Sequence, residues 1–346
     1  RVRSSAASDV YKRQTSDREK LGKSGDFYTS AYVSSLFGQL IAAQLEEMWR
    51  MLGCEPFTIV EYGAGTGMLC RDILRSLSGN EAMYETLQYF IIEKSGSMRK
   101  REMAVLPDKV IWIDSIAEIL PVTGCILSNE LLDNFSVHQV LMFDELMEVF
   151  VGYEKEEFCE QLKPASNELK SYFSELGVFL PRGYRTEINL EATEWIRQLS
   201  VALKRGFVLT IDYGYPSSVL YRKREGTLMC YHGHRINHCP YDLIGEQDIT
   251  SHVNFSALDH WGRLNGLECC GYTTQAHFLR GLGIAGHMQA LEAAEKPDIH
   301  PANRQQRLWQ LQTLLLDMGT KFKVLIQRKG LGGVFLSGMQ FAQVLG

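Results

Sequence analysis

The chain has 346 residues, 45% hydrophobic and 22% charged, and its 36 basic against 41 acidic side chains leave a net charge of −5. That balance excludes the basic footprint of a general nucleic-acid binder. The longest apolar stretches, such as residues 124–127 and 207–211, are far short of the roughly 20 residues a membrane helix needs, so a soluble chain with no membrane insertion is expected.

The first 14 residues, RVRSSAASDVYKRQ, look like a translated sequencing adapter and are set aside as a non-native segment. Apolar residues at helical spacing predict an amphipathic helix over 36–51, ended by Gly53. A buried strand over 57–62 runs into a glycine-rich turn and a helix over 68–77. Further strands are expected at 89–93, 109–113 and 125–128, then a helix over 190–204 and a fifth strand over 206–212. Strands alternating with helices from 55 to 215 predict a doubly wound, Rossmann-like α/β sheet with right-handed crossovers. Residues 138–190 are longer than one crossover needs and are read as an inserted subdomain, a hairpin around Asp144-Glu145 followed by polar connector. Residues 15–137 and 191–346 then form the core. Its tail holds a His- and Tyr-rich loop (221–250), two or three helices as a cover, and a last strand over 323–327. Eight scattered cysteines without a CxxC pair, and no apolar start, read as the reduced thiols of an intracellular protein.

The sharpest local feature is Glu61-Tyr62-Gly63-Ala64-Gly65-Thr66-Gly67, between a strand and a helix. Glycines at alternate positions let the backbone turn tightly and approach a ligand, and the helix start offers free N–H groups. The next strand ends in Glu93, placed to accept both hydroxyls of a ribose. The G-x-G-x-G spacing suits S-adenosylmethionine better than a dinucleotide, because its zwitterionic tail meets Glu61 and the turn and it has no pyrophosphate. An NAD enzyme stays as the alternative at this point. Asp114 and Ser115, after the third strand, either reach the adenine amine or cap a helix over 115–120. After the fourth strand, Asn129, Glu130 and Asp133 stand at the carboxyl end of the sheet, where a substrate approaches. Asp212 and Tyr213 close the fifth strand on the same edge.

These residues fall in blocks. Gly25-Asp26-Phe27-Tyr28-Thr29-Ser30, the Glu61–Gly67 turn, Ser128-Asn129-Glu130 with Asp133, and Val137-His138-Gln139 come first. Asp212-Tyr213-Gly214, Gly226-Thr227-Leu228 with Tyr231 and His234, Gly245–Thr250 with His252 and Phe255, and Gln275 with Phe278-Leu279 follow. In this order the chain resembles the MidA-like family of S-adenosylmethionine-dependent methyltransferases, which includes a mitochondrial complex I assembly factor that is a protein-arginine methyltransferase. It departs from the family at Ala31, commonly proline, at Asn254, commonly Asp, and at Asn134-Phe135-Ser136, which replaces a small-residue and proline step.

The resemblance implies S-adenosylmethionine as cofactor and, as acceptor, a partner protein such as a respiratory-complex subunit. It implies the bacterial cytoplasm or, in a eukaryote, the mitochondrial matrix. A guanidinium stays protonated at neutral pH, so a carboxylate pair is needed to hold and orient it. Glu130 and Asp133 are the candidates, with Asn129 and His138 behind them. Asp26, Tyr28 and Thr29 are expected as a lid over the cofactor bound by Glu61, Gly63, Ala64, Gly65, Gly67 and Glu93. Gln247, Asp248 and His252 are expected to line the acceptor channel. Cys230, His232, His234, His238 and Cys239 nearly have zinc-site spacing, but the resemblance accounts only for Tyr231 and His234 there and sulfonium chemistry needs no metal, so none is expected. A methyltransferase of small molecules and a cofactor-binding assembly factor without turnover are the other readings, and the long insert leaves room for a homodimer contact.

Overall fold

The computed structural model describes residues 30–232, 235–293 and 301–345. The adapter-like start, Asp26, Tyr28, Thr29 and His234 lie outside the described residues. Strands β1 (Thr58–Tyr62), β2 (Gln88–Ile92), β3 (Val110–Ile113) and β4 (Val122–Asn129) come first. β5 (His138–Met142), β6 (Leu146–Glu154), β7 (Glu157–Pro164) and β8 (Arg185–Ile188) follow, and then β9 (Leu203–Tyr215). β10 (Met229–His232), β11 (Arg235–Asn237), β12 (Asp248–Thr250), β13 (Val253–Asn254), β14 (Glu268–Thr274) and β15 (Phe322–Lys329) complete the order.

The central sheet runs β14-β15-β9-β4-β1-β2-β3, with β13 paired to the end of β9. β1 lies parallel to both β2 and β4, whereas β15 is antiparallel to β9 and β14. The strands are apolar on both faces because helices cover both. The helices Ser35–Met51 and Met68–Leu77 bury Phe37, Ile41, Leu45, Ile73 and Leu77 against Ile59, Tyr89 and Leu127. On the opposite face, Leu190–Ala202 and Phe255–Leu264 bring Trp195, Ile196, Leu199, Phe255 and Leu258 onto Val60, Ile126 and Val208. Ser34 caps the first helix by accepting from the N–H of Leu36. Its middle is tied to the far end of the chain: Glu47 accepts from the N–H of Ser337, and Gln44 from the N–H of Gly338 at 3.1 Å.

Residues 138–188 contain the expected hairpin around Asp144-Glu145, as β5 and β6, but correct the expectation of a polar connector after it. They form a four-stranded sheet in the order β7-β6-β5-β8, plus the helix Asn167–Glu175. β7 is largely exposed on both faces, so its sequence carries no two-residue alternation to betray a strand. Leu169, Tyr172 and Phe173 of the helix pack with Val140, Ile188 and Tyr221. Asn254 joins this layer to the core. Its amide donates to the hydroxyls of Tyr172 (3.1 Å) and Tyr221 (3.0 Å), and its oxygen accepts from the Ser217 hydroxyl and the N–H of Ala257. An Asp there could only accept, so the departure at this position supplies two extra donors. The loop over 221–250 is also more ordered than expected, since β10, β11 and β12 pair into a small antiparallel sheet. The helix expected over 115–120 is a single 3₁₀ turn, Ile116–Ile119.

Gly124 and Gly206 face each other across β4 and β9. Both have positive φ, and a Cβ on Gly206 would stand 2.0 Å from the carbonyl oxygen of Gly124. Only the absence of a side chain lets these central strands pair. The substitution Gly206→Ala is expected to lower stability by about 2 kcal/mol or more, measured by urea unfolding.

Candidate active site

The strand order reverses between β1 and β4, where an open α/β sheet leaves its ligand crevice. The loop after β1 is the glycine turn: Gly63, Gly65 and Gly67 have φ of 67°, 61° and 75°. The N–H of Gly63 bonds to the carbonyl of Ile92, and that of Gly67 to the carbonyl of Ala64 (both 2.9 Å). A Cβ on Gly63 would lie 2.9 Å from Leu131, so the turn packs directly on the loop after β4. Gly67 starts the helix Met68–Leu77 without a side-chain cap, leaving its first N–H groups for a ligand.

Glu61 turns into the core beside the turn and is 2% exposed, accepting the Tyr89 hydroxyl at 2.7 Å. Burial pushes its carboxyl up to about 7; the Tyr89 bond opposes this and the charge of Glu93 adds to it. Glu93 stands half-buried just after β2, its carboxylate accepting from the N–H of Ser95 at 2.7 Å. A third acid, Glu102 of the helix Gly96–Val105, is fully buried and accepts Trp112 Nε1–H at 2.8 Å. Burial pushes it up to about 8, with the Trp112 bond opposing and the charges of Glu93 and Glu61 adding. Sequence reasoning missed Glu102, because its polar helix reads as surface. Asp114 and Ser115 occupy the same edge but are engaged locally. Asp114 pairs with Arg99 at 2.8 Å, and Ser115 caps the 3₁₀ turn in a capping box with Glu118.

The second half of the crevice is built by Asp212. This fully buried carboxylate at the end of β9 accepts the N–H groups of Leu131 (3.1 Å), Leu132 (2.8 Å), Asp133 (3.4 Å) and Tyr213 (2.8 Å). It folds the loop after β4 so that Glu130 takes φ 54°, unusual for a residue with a side chain. The Glu130 N–H is fixed to the carbonyl of Ile211, and its carboxyl accepts from the Ser30 N–H and the Asn129 amide, both at 3.2 Å. Burial pushes Glu130 up to about 8; the Ser30 bond opposes this and Asp212 adds to it. Asp133, 4% exposed, is pushed well above the carboxylate range by burial and then by Asp212, Glu130 and Asp248. Burial also pushes Asp212 up to about 7, and the four N–H groups it accepts oppose this. Asn129 Oδ1 is buried without a partner, an acceptor left over at the crevice. Tyr213 and Tyr231 are electrostatically coupled to this group, their phenols raised by burial and then by Glu130 and Asp133 for Tyr213, and by Asp133 and Asp248 for Tyr231.

Three candidates are placed otherwise. His138 bonds to Glu148 of β6 at 2.7 Å, within the second sheet. Gln247 is fully buried, and its amide holds its own loop by donating to the carbonyls of Cys239 and Asp242 and accepting from Asn237. His252 packs on Tyr215 at 5.4 Å and is pushed down to about 4 by burial and by Lys223 and Lys323. Among the described residues no group of three His, Cys, Asp or Glu is arranged to hold a metal, and no helix is long and apolar enough to cross a membrane.

A family model described as "Putative S-adenosyl-L-methionine-dependent methyltransferase" matches residues 40–273. The chain belongs to this family of methyltransferases. Its structure is similar to that of a "likely methyl transferase" from Burkholderia thailandensis bound to S-adenosyl-homocysteine, with a TM-score of 0.84 and 29% identity over 97% of this chain and 89% of the other. Its sequence is 26% identical to the mitochondrial protein arginine methyltransferase NDUFAF7 homolog of Drosophila melanogaster, over 91% of this chain and 77% of that protein. It is equally 26% identical to mouse NDUFAF7, a mitochondrial protein arginine methyltransferase, over 79% and 68%. The enzyme is an S-adenosylmethionine-dependent methyltransferase of the MidA-like family, and its sheet is the one that fold predicts. The open, positive-φ turn, the uncapped helix start and Glu93 fit that cofactor.

Because the carboxyls of the crevice hold protons more tightly than in the unfolded chain, stability should fall as pH rises from about 4.5, the ordinary carboxyl value, to about 8. Glu130→Gln should remove part of that slope, on the order of 1 kcal/mol or more, in urea midpoints measured across this range.

Proposed function

We propose that the enzyme methylates arginine side chains of a partner protein. The observation that carries this reading is the buried Asp133, on which the charges of Asp212, Glu130 and Asp248 converge, on the loop that packs against the glycine turn. Such a group favours a cationic acceptor, which restores the charge balance that burial disturbs. The names of the fly and mouse relatives support the same acceptor class.

When bound, S-adenosylmethionine supplies an electrophilic methyl on a sulfonium. The protein's part is alignment, exclusion of water and proton handling. Glu130, held in its strained backbone by Ser30 and Ile211, accepts the N–H fork of the guanidinium and turns one nitrogen towards the donor. Arrival of the cation favours ionisation of Glu130 and Asp133. On transfer the S–CH₃ bond would break to leave a thioether as the N–CH₃ bond forms, and Glu130 would take the proton that the substituted nitrogen releases. Asn129 Oδ1 offers a further acceptor to the fork. Tyr213 and Tyr231 add aromatic surface suited to a planar cation.

Calorimetric titration should show S-adenosylmethionine binding that is weakened at least tenfold by Glu93→Ala, and no binding of NAD. Glu130→Gln and Asp133→Asn should keep cofactor binding and lose about 10²-fold or more in turnover. Proteins co-expressed with the wild type and with Glu130→Gln would be compared for methylarginine by mass spectrometry. Equal methylarginine in both would remove the arginine reading, while methylation of another residue or of a small molecule would replace it.

A further inference from the structure

Glu61, beside the glycine turn, and Glu102, in electrostatic contact with it, form no ion pair among the described residues. Both are essentially inaccessible to water, and the ion pairs of this region, Arg71–Asp72 and Arg99–Asp114, involve neither. Around Glu61 stand Tyr89 of β2, Cys70 of the helix Met68–Leu77, Glu93 after β2, and Glu102. Around Glu102 stand Trp112 of β3, Arg99 on its own helix, Cys70, Glu93 and Glu61. Only Arg99 is cationic, and its effect on Glu102 is the smallest of those acting there. Glu102 Oε1 is buried with no hydrogen-bond partner. A carboxyl in such a place keeps its proton until a positive charge arrives.

The cofactor changes charge during turnover. S-adenosylmethionine carries a sulfonium, whereas S-adenosylhomocysteine carries a neutral thioether, and their amino-acid tails and adenosines are the same. We propose that Glu61 and Glu102 discriminate methyl donor from product by charge, losing protons to solvent when the sulfonium is bound and regaining them once the methyl has left. The inference rests on the cofactor and not on the identity of the acceptor.

The sign follows from linkage. A nearby cation lowers the carboxyl pKa in the donor complex below its value in the free protein, about 7 for Glu61 and about 8 for Glu102. Between the bound and free values, donor binding expels protons and tightens as pH rises. The neutral product feels no such gain. A shift of one unit makes the donor-over-product preference about tenfold greater at the alkaline end of the window.

The test is calorimetric titration of the whole chain with each ligand at about pH 6 and about pH 8, in two buffers of different ionisation heat. The expected result is net proton release with S-adenosylmethionine, little or none with S-adenosylhomocysteine, and a preference that grows about three- to tenfold with pH. Glu61→Gln and Glu102→Gln keep an acceptor for Tyr89 and Trp112. Each should reduce the proton release and flatten the preference, and Glu102→Gln, which lies outside the residues set against the cofactor, should do so with product binding retained. Equal proton release by the two ligands, or a wild-type preference independent of pH, overturns the proposal. Binding of neither ligand overturns the cofactor assignment and this inference with it.

Discussion

The half of the crevice after β4 depends on one buried carboxylate. Asp212 gathers the N–H groups of Leu131, Leu132 and Asp133 and that of its own neighbour, Tyr213. Without an acceptor, three N–H groups of the loop after β4 would be left in a place water does not reach, at about 1–3 kcal/mol each. With it, the loop turns sharply enough to give Glu130 a left-handed backbone and set Asp133 beneath. Ser251 donates its N–H to the carbonyl of Asp133 at 3.0 Å, so the end of the small sheet is registered on the same loop. One side chain on β9 thereby fixes the positions of residues contributed by β4 and by the segment after β12.

The same chemistry recurs on the two sides of the switch point. Beside the glycine turn, Glu61 and Glu102 are buried together; after β4, Glu130, Asp133 and Asp212 are. Lysines are kept elsewhere. Lys323, at the register position opposite Asp212, bends its ammonium back to the carbonyls of Thr320 and Lys321 and forms no ion pair with it. Lys223 and Lys323 instead flank the ring of Tyr215. Buried acids thus line the crevice on both sides of the switch point.

Much of this was legible in the sequence. Hydrophobic periodicity located the helix Met68–Leu77 to the residue and the parallel strands to within a few positions, because these elements bury continuous apolar faces. The glycine spacing and the block order identified the cofactor and the family. β7 and β14 escaped notice: β7 is exposed on both faces, and β14, Glu268-Cys269-Cys270-Gly271-Tyr272-Thr273-Thr274, owes its place to pairing with β15 and not to apolar alternation. In the crevice, Asn129, Glu130 and Asp133 were visible as polar residues at a strand end, and Asp248 through the family resemblance. The dominance of Asp212 was not, since a hydrogen bond across about 80 residues leaves no local trace. His138 and Gln247, each within a familiar block, also have local partners in Glu148 and in the carbonyls of Cys239 and Asp242.

The bonds from Gln44 and Glu47 to Gly338 and Ser337 have a consequence for biosynthesis. A chain made from its amino end presents the first helix early, yet the partners of that helix emerge roughly 290 residues later, after β15 has completed the sheet. Until then two polar side chains sit in the middle of a helix whose other buried positions are largely apolar, and that helix can only be held loosely against β1 and β4. Such sequence-distant closure favours slow, late consolidation. A nascent chain released shortly before residue 337 would carry the whole crevice and still lack the clasp that locks its first helix.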